Sequence, residues 1–136
     1  MKITETCLYA KNLDEAESFY SGIMNFEMIA KDEGRHLFYR CENGMLLIFN
    51  PDDTISRQTE VGGSEVPLHG AKGQVHVAFS VEQDQYDDWK DKIEGHGIII
   101  ESEIVWSSGI RSFYFRDPSG NSLEIICGNM WSPSGG

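Results

Sequence analysis

Residues 2–10, KITETCLYA, alternate polar and apolar positions closely enough to predict a β-strand, and Asn12-Leu13-Asp14 then supplies polar caps for a helix. Ala16, Phe19, Tyr20 and Ile23 recur at helical spacing, an apolar stripe that ends near Gly22. Three short β-like runs follow: Phe26 to Ala30, His36 to Cys41 and Met45 to Phe49. The turn-forming pieces Asp32-Glu33-Gly34 and Glu42-Asn43-Gly44 divide them. The order is β-α-β-β-β.

From Asn50 to Gly73 the pattern changes to Pro, Asp, Ser, Thr and Gly with few large apolar residues, which predicts a linker or a long functional loop. The first order then returns. A strand over Val75 to Val81 precedes a helix with Tyr86, Trp89 and Ile93 on one face, and Gly95 and Gly97 end it, with His96 between them as a C-terminal cap. Strands Ile98 to Glu103, Ser112 to Arg116 and Ser122 to Cys127 complete a second β-α-β-β-β unit.

Laying one unit on the other places Glu5-Thr-Cys-Leu8 over His76-Val-Ala-Phe79 and Phe19 over Trp89. Side chains on a strand alternate between faces, so Leu8 and Phe79 point at their helices while Glu5 and His76, three positions earlier, take the opposite face. Leu123, Ile125 and Cys127 likewise form one apolar face and turn Glu124 to the other. An isolated buried carboxylate is too costly to keep ionised, so Glu124 requires a cation, a hydrogen-bond network or water.

With 136 residues the chain is expected to form one domain with a real core. Eleven Lys and Arg stand against 22 Asp and Glu, a net charge of −11, which disfavours nucleic acid and anionic membranes as partners. The start, MKITETCLYA, has no long apolar stretch or small-residue cleavage site, so no export signal or membrane span is expected. Cys7, Cys41 and Cys127 are isolated and odd in number, as reduced thiols in a cytoplasm would be. Cys7 and Cys127 are read as buried hydrophobes, with Cys7 also sharing the parity of Glu5.

The segment Phe115-Arg-Asp117-Pro118-Ser-Gly120-Asn121-Ser-Leu-Glu124, with Leu8-x-x-x-Asn-Leu13, Phe19-Tyr20, His76-Val-Ala-Phe79 and the paired units, resembles the vicinal oxygen chelate superfamily. That group holds glyoxalase I, bleomycin-resistance proteins, fosfomycin-resistance enzymes and extradiol dioxygenases. The resemblance implies an α+β fold of two βαβββ modules that form a cupped mixed sheet around a cavity, with helices on the outer face. Module one would span about 2–50, a connecting loop about 51–73, module two about 74–128 and a C-terminal tail 129–136. The whole would act as a single domain, often as a homodimer, with the modules paired within a chain or exchanged between two chains.

The resemblance also implies a divalent metal, Mn, Fe, Ni, Zn or Mg, held by Glu5, His76 and Glu124. The first-strand position is more usually His or Gln in that family, and the fourth-strand position falls within Met45-Leu46-Leu47-Ile48, which offers no ligand. Three ligands leave coordination sites open for a small molecule with vicinal oxygens, for a lyase, isomerase, dioxygenase or group-addition reaction. His69 is the candidate acid/base group. Cys7, Arg35, His36, Trp106, Arg111 and Tyr114 are cavity or substrate candidates, Phe38 and Phe49 possible wall residues. The alternative is a metal-free small-molecule or drug-binding dimer of the bleomycin-resistance kind, or a retained fold with a vestigial site.

Overall fold

The structure is a computed structural model that describes residues 1–131, so residues 132–136 of the expected tail lie outside the described residues. The chain divides into two compact units at Gly73 and Gln74. Both build the same mixed four-stranded sheet, which is an α+β architecture of two βαβββ modules.

In the first unit β1 (Glu5–Tyr9), β2 (Glu27–Asp32), β3 (His36–Cys41) and β4 (Gly44–Phe49) are ordered β1-β4-β3-β2. The first pair is parallel and the rest are antiparallel. The helix between β1 and β2 starts as α1 (Leu13–Glu17), with the Asn12 side chain accepting from the Glu15 N–H, and continues as a π-helical turn over Ser18–Ile23. Its apolar stripe is buried: Ala16, Phe19 and Tyr20 pack over Leu8, Leu37, Tyr39, Leu46 and Ile48. Phe26 does not open the next strand as expected. Its N–H bonds to the Tyr20 carbonyl, and Asn25 takes a left-handed φ of 58°, so the chain is still leaving the helix there.

The stretch expected to be irregular carries structure of its own. Pro51–Thr54 forms α2, capped by the Asn50 side chain, and β5 (Thr59–Val61) pairs with β6 (Ser64–Val66) in a hairpin. Gly62 and Gly63 both have positive φ, which a two-residue turn of this twist requires and which glycine adopts without a steric cost. The pattern TEV-GG-SEV was therefore a hairpin signal within an otherwise polar segment.

In the second unit β7 (His76–Val81), β8 (Ser102–Val105), β9 (Arg111–Arg116) and β10 (Ser122–Cys127) are ordered β7-β10-β9-β8, again with one parallel pair. A short 3₁₀ turn precedes α3 (Tyr86–Gly95), whose Tyr86 and Ile93 are buried while Trp89 is half-exposed. His96 is the C-cap of this helix, as expected. The strand expected over Ile98 to Glu103 is displaced to Ser102–Val105. The Ile98 N–H still bonds to Ile93 and closes the helix end, so the apolar run Ile98-Ile99-Ile100 is a connector. Among the described residues no helix is long and apolar enough to cross a membrane.

Candidate metal centre

Strand register decides which side chains share a face. In the second unit His76 lies opposite Ser122, Ala78 opposite Glu124, and Glu124 opposite Tyr114. These residues belong to one parity, with Ser80, Ser112 and Ile126. Leu123, Ile125, Phe113 and Phe115 belong to the other and are buried on the helix side. The expected orientations of His76 and Glu124 hold. The two side chains line a cleft of about 670 Å³ with Trp106, Tyr114, Ile126, Met130 and Trp131.

The turn before β10 sets the relative position of the two ligand candidates. Asp117 Oδ1 accepts from the N–H groups of Ser119 and Asn121, and its Oδ2 accepts from the Asn121 amide. Gly120, at φ 86°, lets the chain reverse. Asn121 Oδ1 then accepts from the Val75 N–H at 3.2 Å, and the Ser122 N–H donates to the Val75 carbonyl at 2.8 Å. The DPSGN segment thus ties the first residue of β10 to the residue before His76. Asp117 and Asn121 are buried, so these bonds are shielded from water.

His76 Nδ1 is 2.9 Å from the Ser122 carbonyl. A carbonyl only accepts, so Nδ1 carries a proton, and in the neutral imidazole Nε2 then keeps its lone pair, the tautomer suited to ligating through Nε2. That Nε2 is 3.4 Å from Glu124 Oε1. A charge-assisted hydrogen bond would be roughly 2.7–2.9 Å. Two bonds of about 2.1 Å to one ion at a tetrahedral angle would hold their donor atoms about 3.4 Å apart. Glu124, its side chain only 8% exposed, faces a nitrogen lone pair across this gap, so the pair fits a divalent cation. The Tyr114 hydroxyl bonds to Glu124, and burial followed by this carboxylate pushes the phenol pKa up.

Glu5 lies on β1 opposite Met45, with Cys7 opposite Leu47 and Tyr9 opposite Phe49 on the same face. Cys7 is exposed there and is not the buried hydrophobe expected of it, because strand parity turns it away from the helix that covers Leu8. Partial desolvation of the thiol, and then the Glu5 carboxylate, raise its pKa even so. Leu47 occupies in the first unit the place of Glu124 in the second, and Leu46 and Ile48 point to the helix, so the fourth strand supplies no ligand. Among the described residues no group of three or more His, Cys, Asp and Glu side chains is gathered as a cage.

The other candidates separate into three places. Trp106 and Tyr114 line the cleft with His76 and Glu124. His36 and His69 meet around Phe49 in the first unit, at ring distances of 5.8 and 4.7 Å. His36 stacks on Phe38 at 3.8 Å, and His69 Nδ1 is 2.8 Å from the Tyr9 hydroxyl. Burial lowers the His36 pKa, and its Nδ1 is buried with no hydrogen-bond partner among the described residues. Arg35 and Arg111 are already engaged: Arg35 with Asp53 at 2.7 Å, and Arg111 with Asp87 at 3.2 Å over the Tyr86 ring. Arg111 has the parity of Phe113 and points to the helix side. Residue patterns alone left out Tyr9, Asn121 and the tail residues Met130 and Trp131, and of these only the Asn of the turn motif and the isolated Trp carried any signal.

Two βαβββ units, the second with a His and a buried Glu drawn together on one sheet face, are the architecture of the vicinal oxygen chelate class. The chain belongs to the Glyoxalase/Bleomycin resistance protein/Dioxygenase superfamily, whose family model matches residues 2–125. It is similar to metallothiol transferase FosB of Bacillus licheniformis, 28% identical over 88% of this chain and 71% of that protein. A FosB of Shouchella clausii is 30% identical, over 88% of this chain and 75% of that protein. Among solved structures, a lactoylglutathione lyase from Agrobacterium tumefaciens is 38% identical with a TM-score of 0.87, covering 96% of both chains. These relatives are named as enzymes.

Proposed function

We propose that the chain is a metal-dependent enzyme of the glyoxalase type acting on a small molecule with two adjacent oxygens. The observation that carries this reading is the His76 imidazole, held at Nδ1 by the Ser122 carbonyl with Nε2 3.4 Å from Glu124. Glu5, the counterpart of His76 in the first unit, is the third protein ligand, from the same chain or from a second copy in a homodimer. His76 and Glu124, with Glu5, would hold a divalent ion, which when bound would supply Lewis-acid polarisation of the substrate oxygens. Ser122 holds the proton on His76 Nδ1, and Tyr114 holds the Glu124 carboxylate in place. The half-buried Tyr9 hydroxyl, its pKa raised by burial and then by Cys7, lies 2.8 Å from His69 Nδ1 and orients that ring, the candidate acid/base group.

The names of the relatives, a lyase and two metallothiol transferases, support a lyase or group-transfer reaction over a dioxygenase. Free thiols at Cys7, Cys41 and Cys127 support a cytoplasmic setting. The second reading, a metal-free binding dimer, is favoured by one observation: only two ligand candidates come together among the described residues. Metal analysis of native protein beside Glu124→Gln separates the two. Stoichiometric metal that falls at least tenfold in the variant is expected. No metal in either protein, with no thermal shift on adding Mn²⁺, Ni²⁺, Fe²⁺ or Zn²⁺, overturns the enzyme reading and leaves the binding dimer.

A further inference from the structure

The walls of the second unit's cleft carry information that its two ligand candidates do not. Its polar lining is His76, Glu124, Ser80 and Asn129, and its large apolar surfaces include Trp106, Tyr114 and Trp131. Two of the aromatic groups are set in place. The Trp106 indole N–H donates to the hydroxyl of fully buried Ser112 at 3.0 Å, which fixes the plane of its ring. The Tyr114 ring lies nearly parallel to His76, 26° apart with centroids at 6.0 Å. Trp131 stands at the rim with 84% of its surface exposed, a large apolar area beside the cleft. A volume of about 670 Å³ with flat apolar walls and few polar anchors suits a ring system of two fused rings or more.

The charges of the same unit point in one direction. Lys90 pairs with Glu103, Lys92 lies over Trp89, Arg111 pairs with Asp87, and Arg116 pairs with Glu101 and donates to the Gly120 carbonyl. None of these cations lines the cleft. An anionic ligand would meet Glu124 there with no Lys or Arg to offset it, in a protein of net charge −11.

We infer that this cleft receives an uncharged, flat apolar group, with Trp106 and Trp131 as its specificity-determining residues, and that it discriminates against carboxylates, phosphonates and other anions outside the metal position. The inference rests on the enzyme reading in taking the cleft as the substrate's seat. Recognition of the ring by aromatic walls requires no ion, so it is tested on the full chain after chelation.

Isothermal titration with 2-naphthol and 2-naphthoate at neutral pH, two probes that share a ring and differ in charge, reads the discrimination directly. Naphthol is expected to bind at least tenfold more tightly than naphthoate. Trp131→Ala, an exposed position whose loss leaves the melting temperature unchanged, is expected to weaken naphthol at least fivefold, and Trp106→Phe is expected to weaken it less. Naphthoate binding as tightly as naphthol, no binding of either probe, or an unaltered naphthol affinity in Trp131→Ala overturns the inference. Failure of the metal reading shows elsewhere, as a Mn²⁺ titration of the same protein without saturable binding, and leaves the ring recognition standing.

Discussion

The two units share a strand order and a register but fill the same sheet face with different chemistry. Where the second unit places Glu124, the first places Leu47; where the second has Tyr114, Ser112 and Ser80, the first has Phe38, His36 and Tyr9. Only one edge position, Glu5 and its counterpart His76, is metal-capable in both. The turns differ in the same sense. β3 and β4 are joined by a tight turn at Cys41 to Gly44, with Glu42 at φ 51°. β9 and β10 are joined by the longer Asp117–Asn121 segment, whose side chains clamp the residue before His76. Duplicated backbone geometry therefore does not duplicate a site. The unit with the clamp holds its imidazole by the Ser122 carbonyl, whereas no hydrogen bond among the described residues holds the Glu5 carboxylate.

The sharpest way to break this contrast is to write the second unit's ligand into the first. Leu47→Glu buries a carboxylate at a position 5% exposed, beside Phe38 and Cys7 in register. A loss of about 3 kcal/mol is expected, read from urea denaturation. An unchanged midpoint together with tighter Mn²⁺ binding would show that Leu47 already faces the ion and that the units are closer in chemistry than their residues suggest.

A smaller effect is expected from removing the clamp. Asp117→Ala leaves the N–H groups of Ser119 and Asn121 and the Asn121 amide without their carboxylate, which costs about 2 kcal/mol. Metal affinity should fall with it, because the Val75 to Asn121 bond that positions β7 is loosened. Retained affinity in a folded Asp117→Ala protein would assign the turn to stability alone. Trp106→Phe removes a donor from buried Ser112 and is expected to cost about 1 kcal/mol by thermal melting, with the ring wall largely kept.

The smallest effect belongs to His36 in the first unit. Burial holds its pKa below the ordinary value of about 6.5, so the unfolded chain takes up this proton before the folded one does. The stability it contributes is complete above that value and is lost as pH falls from there through the lower folded value. His36→Phe removes both this loss and the unpartnered Nδ1. The variant should melt at or slightly above the native temperature at pH 7 and decline less between about pH 6.5 and 5. An equal decline in both proteins would place the acid sensitivity elsewhere.

Most of the fold was legible because its signals are local. The apolar stripe of Ala16, Phe19 and Tyr20, the parity of Leu123, Glu124 and Ile125, and the repeat that equates Glu5 with His76 depend on spacing, and spacing survives into the sheet. The misplaced pieces depended on competition instead. Ile98-Ile99-Ile100 reads as a strand, yet closing the helix after His96 and Gly97 takes its first residue, and pairing begins only at Ser102. Arg111 reads as a free cation beside a turn, yet its parity carries it to Asp87 and Tyr86. Cys7 reads as a core residue, yet it sits exposed on the edge strand, turned away from the helix that covers Leu8.

By itself the sequence determined the element order, the duplicated βαβββ plan and the faces of His76 and Glu124, because alternation and helical period are properties of neighbouring residues. Tertiary structure alone decided that Ser122 would set the His76 tautomer, that Asn121 would tie β10 to β7, and that Trp131 would reach the cleft of His76 and Glu124. The first two of those contacts join residues 46 positions apart, His76 with Ser122 and Val75 with Asn121. Nothing in the local pattern encodes such a distance, since it arises from strand pairing and the path of the chain after the last strand.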